Sequence, residues 1–231
     1  MKKVFLILIT ALLFNSCSKD SNSTSSPVLA LSDTPSAKSE FDGNNYGIYK
    51  GVFVGSSGNV LINIKNDGSF SAKLIIDGIT YNFTTTENAT SNQAISGLTF
   101  TNGSSSFDFN VDASGSNPII SNIVISGHPN ATISVFKELS NLLVKCYEGT
   151  YLGQDTGVLN VITYNGMLKG LAKPTGSTNS IELNGTVINN SISGQFSGGT
   201  FVGTVNSNTT ISGTWQNSEP QNGTWSGIRK L

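Results

Sequence analysis

Four successive stretches near the C-terminus share one pattern: Ile192-x-Gly194-x-Phe196, Phe201-x-Gly203-x-Val205, Ile211-x-Gly213-x-Trp215 and Trp225-x-Gly227-x-Arg229. Alternate residues of a strand share a face. Each stretch therefore puts a large residue, a glycine and a second large residue on one side. The other side carries Ser193, Gln195, Thr204, Asn206, Ser212, Thr214, Gln216, Thr224 and Ser226. One face is a core and the other is wet. A glycine inside a strand weakens it and marks a bend or a close backbone approach. Glycines at mid-height of successive strands let a sheet coil tightly, with large side chains filling the space above and below. A small closed barrel fills its interior by this alternation of small and large. With Phe196, Phe201, Trp215 and Trp225 inside, the interior is expected to be filled, with no wide ligand cavity. The same pattern argues against a transmembrane barrel, whose outer face must be apolar.

The remaining chain reads the same way. Short alternating runs are separated by turn residues every 8–12 positions, which is the all-β signature. Asn66-Asp67-Gly68, Asp77-Gly78 and Asn102-Gly103 are hairpin turns, as are Asn165-Gly166, Asn189-Asn190, Gly198-Gly199 and Ser207-Asn208. Strands are expected near 46–54, 58–65, 69–76, 79–85, 93–101, 105–111, 119–126 and 131–137. A second set is expected near 144–153, 157–164, 166–172, 179–188, 191–197, 199–206, 209–216 and 223–230. Connections this short imply an antiparallel meander. Tyr49-x-Gly51-x-Phe53-x-Gly55 echoes Tyr147-x-Gly149-x-Tyr151-x-Gly153, and VLINI at 60–64 echoes VLNVI at 158–162. This is read as an internal duplication. The expected fold is all-β, with two tandem antiparallel meander domains of about eight strands, 46–140 and 141–231. Each is a small closed barrel, with a β-sandwich as the alternative. FKELSNLLVKCY between them is either a short helical turn or a simple link.

Composition narrows function mainly by exclusion. Charged residues make up 12% of the 231 residues and the formal net charge is −1. No basic run is present to neutralise nucleic-acid phosphates or to hold a membrane surface. Hydrophobic residues reach only 37%, so the core must be placed economically. His128, in Gly127-His128-Pro129-Asn130, reads as a solvated turn residue, and no nucleophile-elbow pattern accompanies it. Cys146 reads as a small buried hydrophobe. No His/Cys cluster or calcium-loop pattern marks a metal site, and Asp67 and Asp77 are explained as turn residues. Asp108, Asp112, Glu148 and Glu182 could be brought together as carboxylates, although each also reads as a surface residue. No enzymatic activity, cofactor, metal or catalytic residue is assigned.

The N-terminus carries an address. Lys2 and Lys3 precede an apolar run from Val4 to Phe14, of secretory-signal length and too short to span a bilayer. Phe14-Asn15-Ser16-Cys17 follows and resembles the lipobox of bacterial lipoproteins. Ser16 matches the small residue, while Phe14 and Asn15 depart from the usual pattern. The resemblance implies a signal peptide at 1–16 and an acylated N-terminal Cys17, which would anchor the chain stably. Ser18 after the cysteine implies the outer membrane, periplasm-facing or at the cell surface. Ser18-Lys19-Asp20 is similar to the surface-export signal of Bacteroidota lipoproteins. The Ser-rich stretch from Cys17 to Asn45 reads as a flexible tether. The closing GTWQNSEPQNGTWSGIRKL resembles the Gly/aromatic repeats of small lipidated Bacteroidota proteins and the barrel domains of transferrin-binding-type surface lipoproteins.

Tyr81, Phe83, Phe107 and Phe109 alternate on two strands of the first half. They either line its core or form an aromatic platform for a glycan or a protein partner. The expected function is therefore a membrane-anchored, non-enzymatic binding or accessory module in an envelope assembly. The alternative is a lipocalin-like carrier of a small apolar ligand, which needs an open barrel mouth. A hydrolase is the third reading and needs His128 beside a nucleophile and an acid.

Overall fold

The structure is a computed structural model and describes residues 31–219 and 221–231. Cys17, the signal segment and the first part of the tether lie outside these residues. Among the described residues the chain forms sixteen strands and a short 3-10 turn, Ser39–Phe41. The first eight strands are β1 (Gly47–Val54), β2 (Ser57–Ile64), β3 (Phe70–Ile76), β4 (Ile79–Thr84), β5 (Ile95–Asn102), β6 (Ser105–Val111), β7 (Ile119–Val124) and β8 (Thr132–Glu138). The second eight are β9 (Lys145–Gly153), β10 (Gly157–Tyr164), β11 (Met167–Pro174), β12 (Ile181–Ile188), β13 (Ser191–Phe196), β14 (Gly199–Val205), β15 (Thr210–Asn217) and β16 (Asn222–Arg229).

Both sets are antiparallel meanders. β9–β16 is a closed barrel, with β16 hydrogen-bonded back to β9. β1–β8 is nearly closed: β8 returns to pair with β1, but β7 and β8 share no ladder, and β4 meets β5 only at Thr84–Thr101. The turns behave as their residues dictate. Asp77-Gly78, Asn165-Gly166 and Asn189-Asn190 all have positive φ at both positions, the conformation that matches the twist of a two-residue hairpin. FKELSNLLVKCY forms no helix and is a link, with a turn closed by Leu139 and Leu142.

The duplicated stretches occupy equivalent places. Tyr49 and Tyr147 are both buried in their barrel interiors. Gly51 lies against the backbone of Ser134 in β8, and Gly149 lies against that of Ser226 in β16, so each first strand meets its last strand through a glycine. The second strands are offset, however. Gly51 pairs with Val60, whereas Gly149 pairs with Leu159. The β9–β10 connection is one residue longer, so VLINI and VLNVI do not superpose letter for letter.

The segment expected to be a free tether is docked from Leu31 onward. Ser36 N donates to Glu138 Oε1 at 2.7 Å, Lys38 N to Asn66 Oδ1 at 3.0 Å, and Asn66 Nδ2 back to Ser36 O at 3.1 Å. Lys137 Nζ donates to the carbonyls of Phe41 and Asn44, and Asn45 is fully buried. Polar groups of Ser36, Lys38, Phe41 and Asn44 are thus bonded to side chains of the first barrel.

The barrels also share an interface. Val52, Val144, Cys146 and Ile162 form a small apolar cluster on their outer faces, joined by Phe136, Tyr164 and Leu231. Hydrogen bonds cross it from Asn160 Nδ2 to Phe53 O at 2.8 Å and from Asn59 Nδ2 to Glu148 Oε1 at 2.6 Å. β1 is therefore buried on both faces, one toward its own barrel and one toward the other. Burial pushes the Cys146 thiol well up, which removes the reactive thiolate. In a Cys17→Ser chain, where Cys146 is the only thiol, a disulfide reagent should leave the native protein unmodified and react fully after denaturation. Stoichiometric reaction under native conditions within minutes would mean that this interface is open.

Candidate functional site

The second barrel is not filled. A cavity of about 300 Å³ occupies one end of its interior. It opens where the β9–β10, β11–β12, β13–β14 and β15–β16 connections gather. Its walls include Leu159, Val161, Leu168, Ala172, Ile181 and Leu183. Leu159 pairs with Ala172 across β10–β11, and Ala172 with Ile181 across β11–β12, so three lining residues form one continuous strip of wall.

The glycines explain the space. A Cβ added at Gly213 would sit 2.7 Å from Trp225 Cζ2, one at Gly194 would sit 2.7 Å from Phe201 Cε1, and one at Gly199 would sit 2.7 Å from Phe196 Cε2. The rings thus rest against bare backbone. Phe196, Phe201, Trp215 and Trp225 do point inward as expected, but they lie along the wall and leave the lumen at this end open. Trp215 Nε1 donates to Leu152 O at 3.1 Å and Trp225 Nε1 to Thr214 O at 3.2 Å. With both indole N–H groups used on the wall, only apolar ring surface faces the cavity. Edge-to-face pairs fix the rings: Tyr151 with Trp215 and Phe201 with Trp225, each with centroids 6.1 Å apart. The expectation of a filled interior is corrected on this ground. Glycine provides room beside a ring as well as above and below it.

The rim is polar. Asn217 Nδ2 donates to Gln221 Oε1 at 2.9 Å, and Gln221 N donates to Asn217 Oδ1 at 3.2 Å, which closes the β15–β16 loop on itself. Tyr151 OH donates to Asp155 Oδ2 at 3.2 Å, and Thr156 N donates to Asp155 Oδ1 at 2.7 Å. Burial raises the Tyr151 phenol, and the Asp155 charge adds to the effect, so the hydroxyl stays a donor. Asp155 and Glu219 are the charged residues of the lining, and both are exposed at the mouth.

The opposite end is closed. Tyr147, Ile192 and Ile211 are buried there. Arg229, on the inward face beside Tyr147, is 2% exposed and pairs with Asp33 at 3.0 Å. Its guanidinium also donates to the carbonyls of Ser32 and Leu231. The docked N-terminal segment and the C-terminus therefore seal this end around a buried cation.

The aromatic platform is not present as a surface. Phe83, Phe107 and Phe109 are fully buried and only Tyr81 is half-exposed. Phe107 packs at 5.2 Å from Phe83 and stacks at 5.5 Å on Phe100, while Phe109 meets Tyr49 edge-on at 4.8 Å. Their alternation is that of inward-facing core residues, and they fill the first barrel. His128 rests edge-on against Phe53 at 5.3 Å. Among the described residues its ring takes part in no hydrogen bond, and no group of three metal-ligating side chains occurs. Asp108 bonds Thr99 and Asn122, and Glu148 bonds Asn59 at the interface, so both carboxylates have structural partners. The residues missed by sequence reasoning are the rim carboxylates and the wall strip. The spacing of neither differs from that of ordinary loops and strands. No family model, curated protein or solved structure matches this chain.

Proposed function

We propose that this protein is a lipid-anchored, non-enzymatic envelope protein that holds a small apolar ligand in its second barrel. The cavity carries this reading: it is apolar, open at one end, sealed at the other and rimmed by a few polar groups. Ligand sites concentrate in the mouths of β-barrels and are built this way. A dry void of about 300 Å³ would forgo about 7 kcal/mol of packing, comparable with the net stability of a whole domain. A bound ligand returns that packing. An apolar cavity of about 150 Å³ holds benzene, so this one suits a body of about twelve carbon atoms. The anchor at Cys17 rests on the lipobox resemblance. The carrier reading is favoured over a protein or glycan platform because the aromatic side chains are buried.

The chain has two tryptophans and both line the cavity, so intrinsic fluorescence reports occupancy directly. Titrating the full chain with decanol is expected to give a saturable change in tryptophan emission. Ala172→Phe, which places a ring in the lumen, is expected to abolish that change while the far-ultraviolet spectrum stays that of the parent. No change in the parent protein, or an equal response in the variant, would overturn the reading.

A further inference from the structure

We infer that the ligand carries a cationic head group, an amine or a quaternary ammonium, placed at the mouth between Asp155 and Glu219. This rests on the carrier reading above and specifies its ligand class. Three observations carry it. First, the charge at the site has one sign: among the described residues the lining holds two carboxylates and no lysine, arginine or histidine. An anionic head such as a fatty carboxylate would enter against like charge with no partner to meet it. Second, the strand cation adjacent in sequence to the lining strip is engaged elsewhere. Lys173, adjacent to the lining residue Ala172, reaches Gly55 O of the first barrel at 3.4 Å. The single buried cation of this barrel, Arg229, lies at the sealed end and is paired with Asp33. Third, much of the cavity wall is aromatic. Tyr151, Phe196, Phe201, Trp215 and Trp225 all line the cavity, and ring faces attract cations, indole most strongly. Because both indole N–H groups are bonded to the wall, it is the π surface that the ligand meets.

The rim geometry fits a donor. Asp155 already accepts from Tyr151 and Thr156, and a carboxylate has about four acceptor sites, so it retains capacity for an ammonium. Among the described residues the Glu219 carboxylate accepts from Gln221 Nε2 alone, at 3.5 Å, a long contact that lets it turn toward a head group. Exposed charge pairs are individually weak, so the preference should be moderate and salt-dependent.

Three probes with one ten-carbon body separate the possibilities: decylammonium, decanol and decanoate, each titrated into the full chain at pH 7 and low salt with tryptophan emission as readout. Decylammonium is expected to bind about tenfold more tightly than decanoate, with decanol between them. In the Asp155→Asn/Glu219→Gln variant the difference should fall to about twofold or less. Raising the salt to about 1 M should shrink the preference in the parent in the same way. Equal or tighter binding of decanoate in the parent would overturn the cationic assignment and leave the apolar carrier standing. A preference that survives the double substitution would also overturn it, because the carboxylates would not be its source. Failure of all three probes to bind would remove the carrier reading itself, and this inference with it.

Discussion

Gly149→Ala is expected to open the second barrel at its closing seam. A Cβ there would lie within overlap distance of the Ser226 carbonyl oxygen and 2.7 Å from Gly227 Cα. Both are backbone of β16, paired to β9 through the register Gly149↔Gly227. Neither atom can rotate away as a side chain could, so the strands must separate. Overpacking ordinarily costs about 1–3 kcal/mol. With rigid backbone as the obstacle the loss should be at least about 3 kcal/mol, which lowers a urea midpoint by about 1 M or more. Gly227→Ala is the matched control on the same seam. Its Cβ would meet only side-chain atoms of Ile211 and Tyr147, at 3.2–3.4 Å. Those neighbours can give by a few tenths of an ångström, and replacing glycine also stiffens the unfolded chain. Its effect should stay within about 1 kcal/mol. Gly51→Ala in the first barrel should behave like Gly149→Ala, since its Cβ would fall against Ser134 of β8. Equal effects of Gly149→Ala and Gly227→Ala would refute the role given to the seam.

The strands were legible because two local signals agreed. Turn residues that accept positive φ ended each run, and period-two alternation set its faces. All sixteen strands lie where these signals place them, with ends moved by two residues at most. The glycine-centred stretches also announced a barrel, since a filled interior and a lined cavity use the same residues on the same face. What separates the two is the lean of each ring, and that depends on cross-strand register. Trp225 of β16 rests on Gly213 of β15 and Phe201 of β14 on Gly194 of β13, relations that no single strand contains. The docked segment failed for a related reason. A Ser-rich stretch has the same composition whether water or Asn66 and Glu138 satisfy its backbone. No local pattern marks Lys50 and Glu138 as buried, because β1 is buried on both faces only once a second barrel covers its outer side.

That cover makes Glu138 the most consequential carboxylate in the chain. It is fully buried and accepts three hydrogen bonds: Lys50 Nζ at 2.6 Å, Ser36 N at 2.7 Å and Val144 N at 3.1 Å. One side chain thus joins β1, the docked N-terminal segment and the link into the second barrel. Glu138→Ala would leave the Lys50 ammonium, 5% exposed, without a counter-charge and two backbone N–H groups without acceptors. Breaking a buried pair from one side costs about 3–5 kcal/mol, and the orphaned amides push the loss toward the upper end. Lys50→Met/Glu138→Gln removes both charges but keeps one acceptor. It should recover at least half of that loss, because the pair's own desolvation cost is removed with it. The damage should also be local. Val144 and the neighbouring Cys146 belong to the inter-barrel cluster, so in a Cys17→Ser background Glu138→Ala should make the Cys146 thiol react before global unfolding. Salt separates this pair from a surface one: a buried interaction is screened little, so about 1 M NaCl should leave the cost of Glu138→Ala nearly unchanged. If the single substitution costs under about 1 kcal/mol, or if the double variant is no better than the single one, Glu138 does not hold the two barrels and the N-terminal segment together.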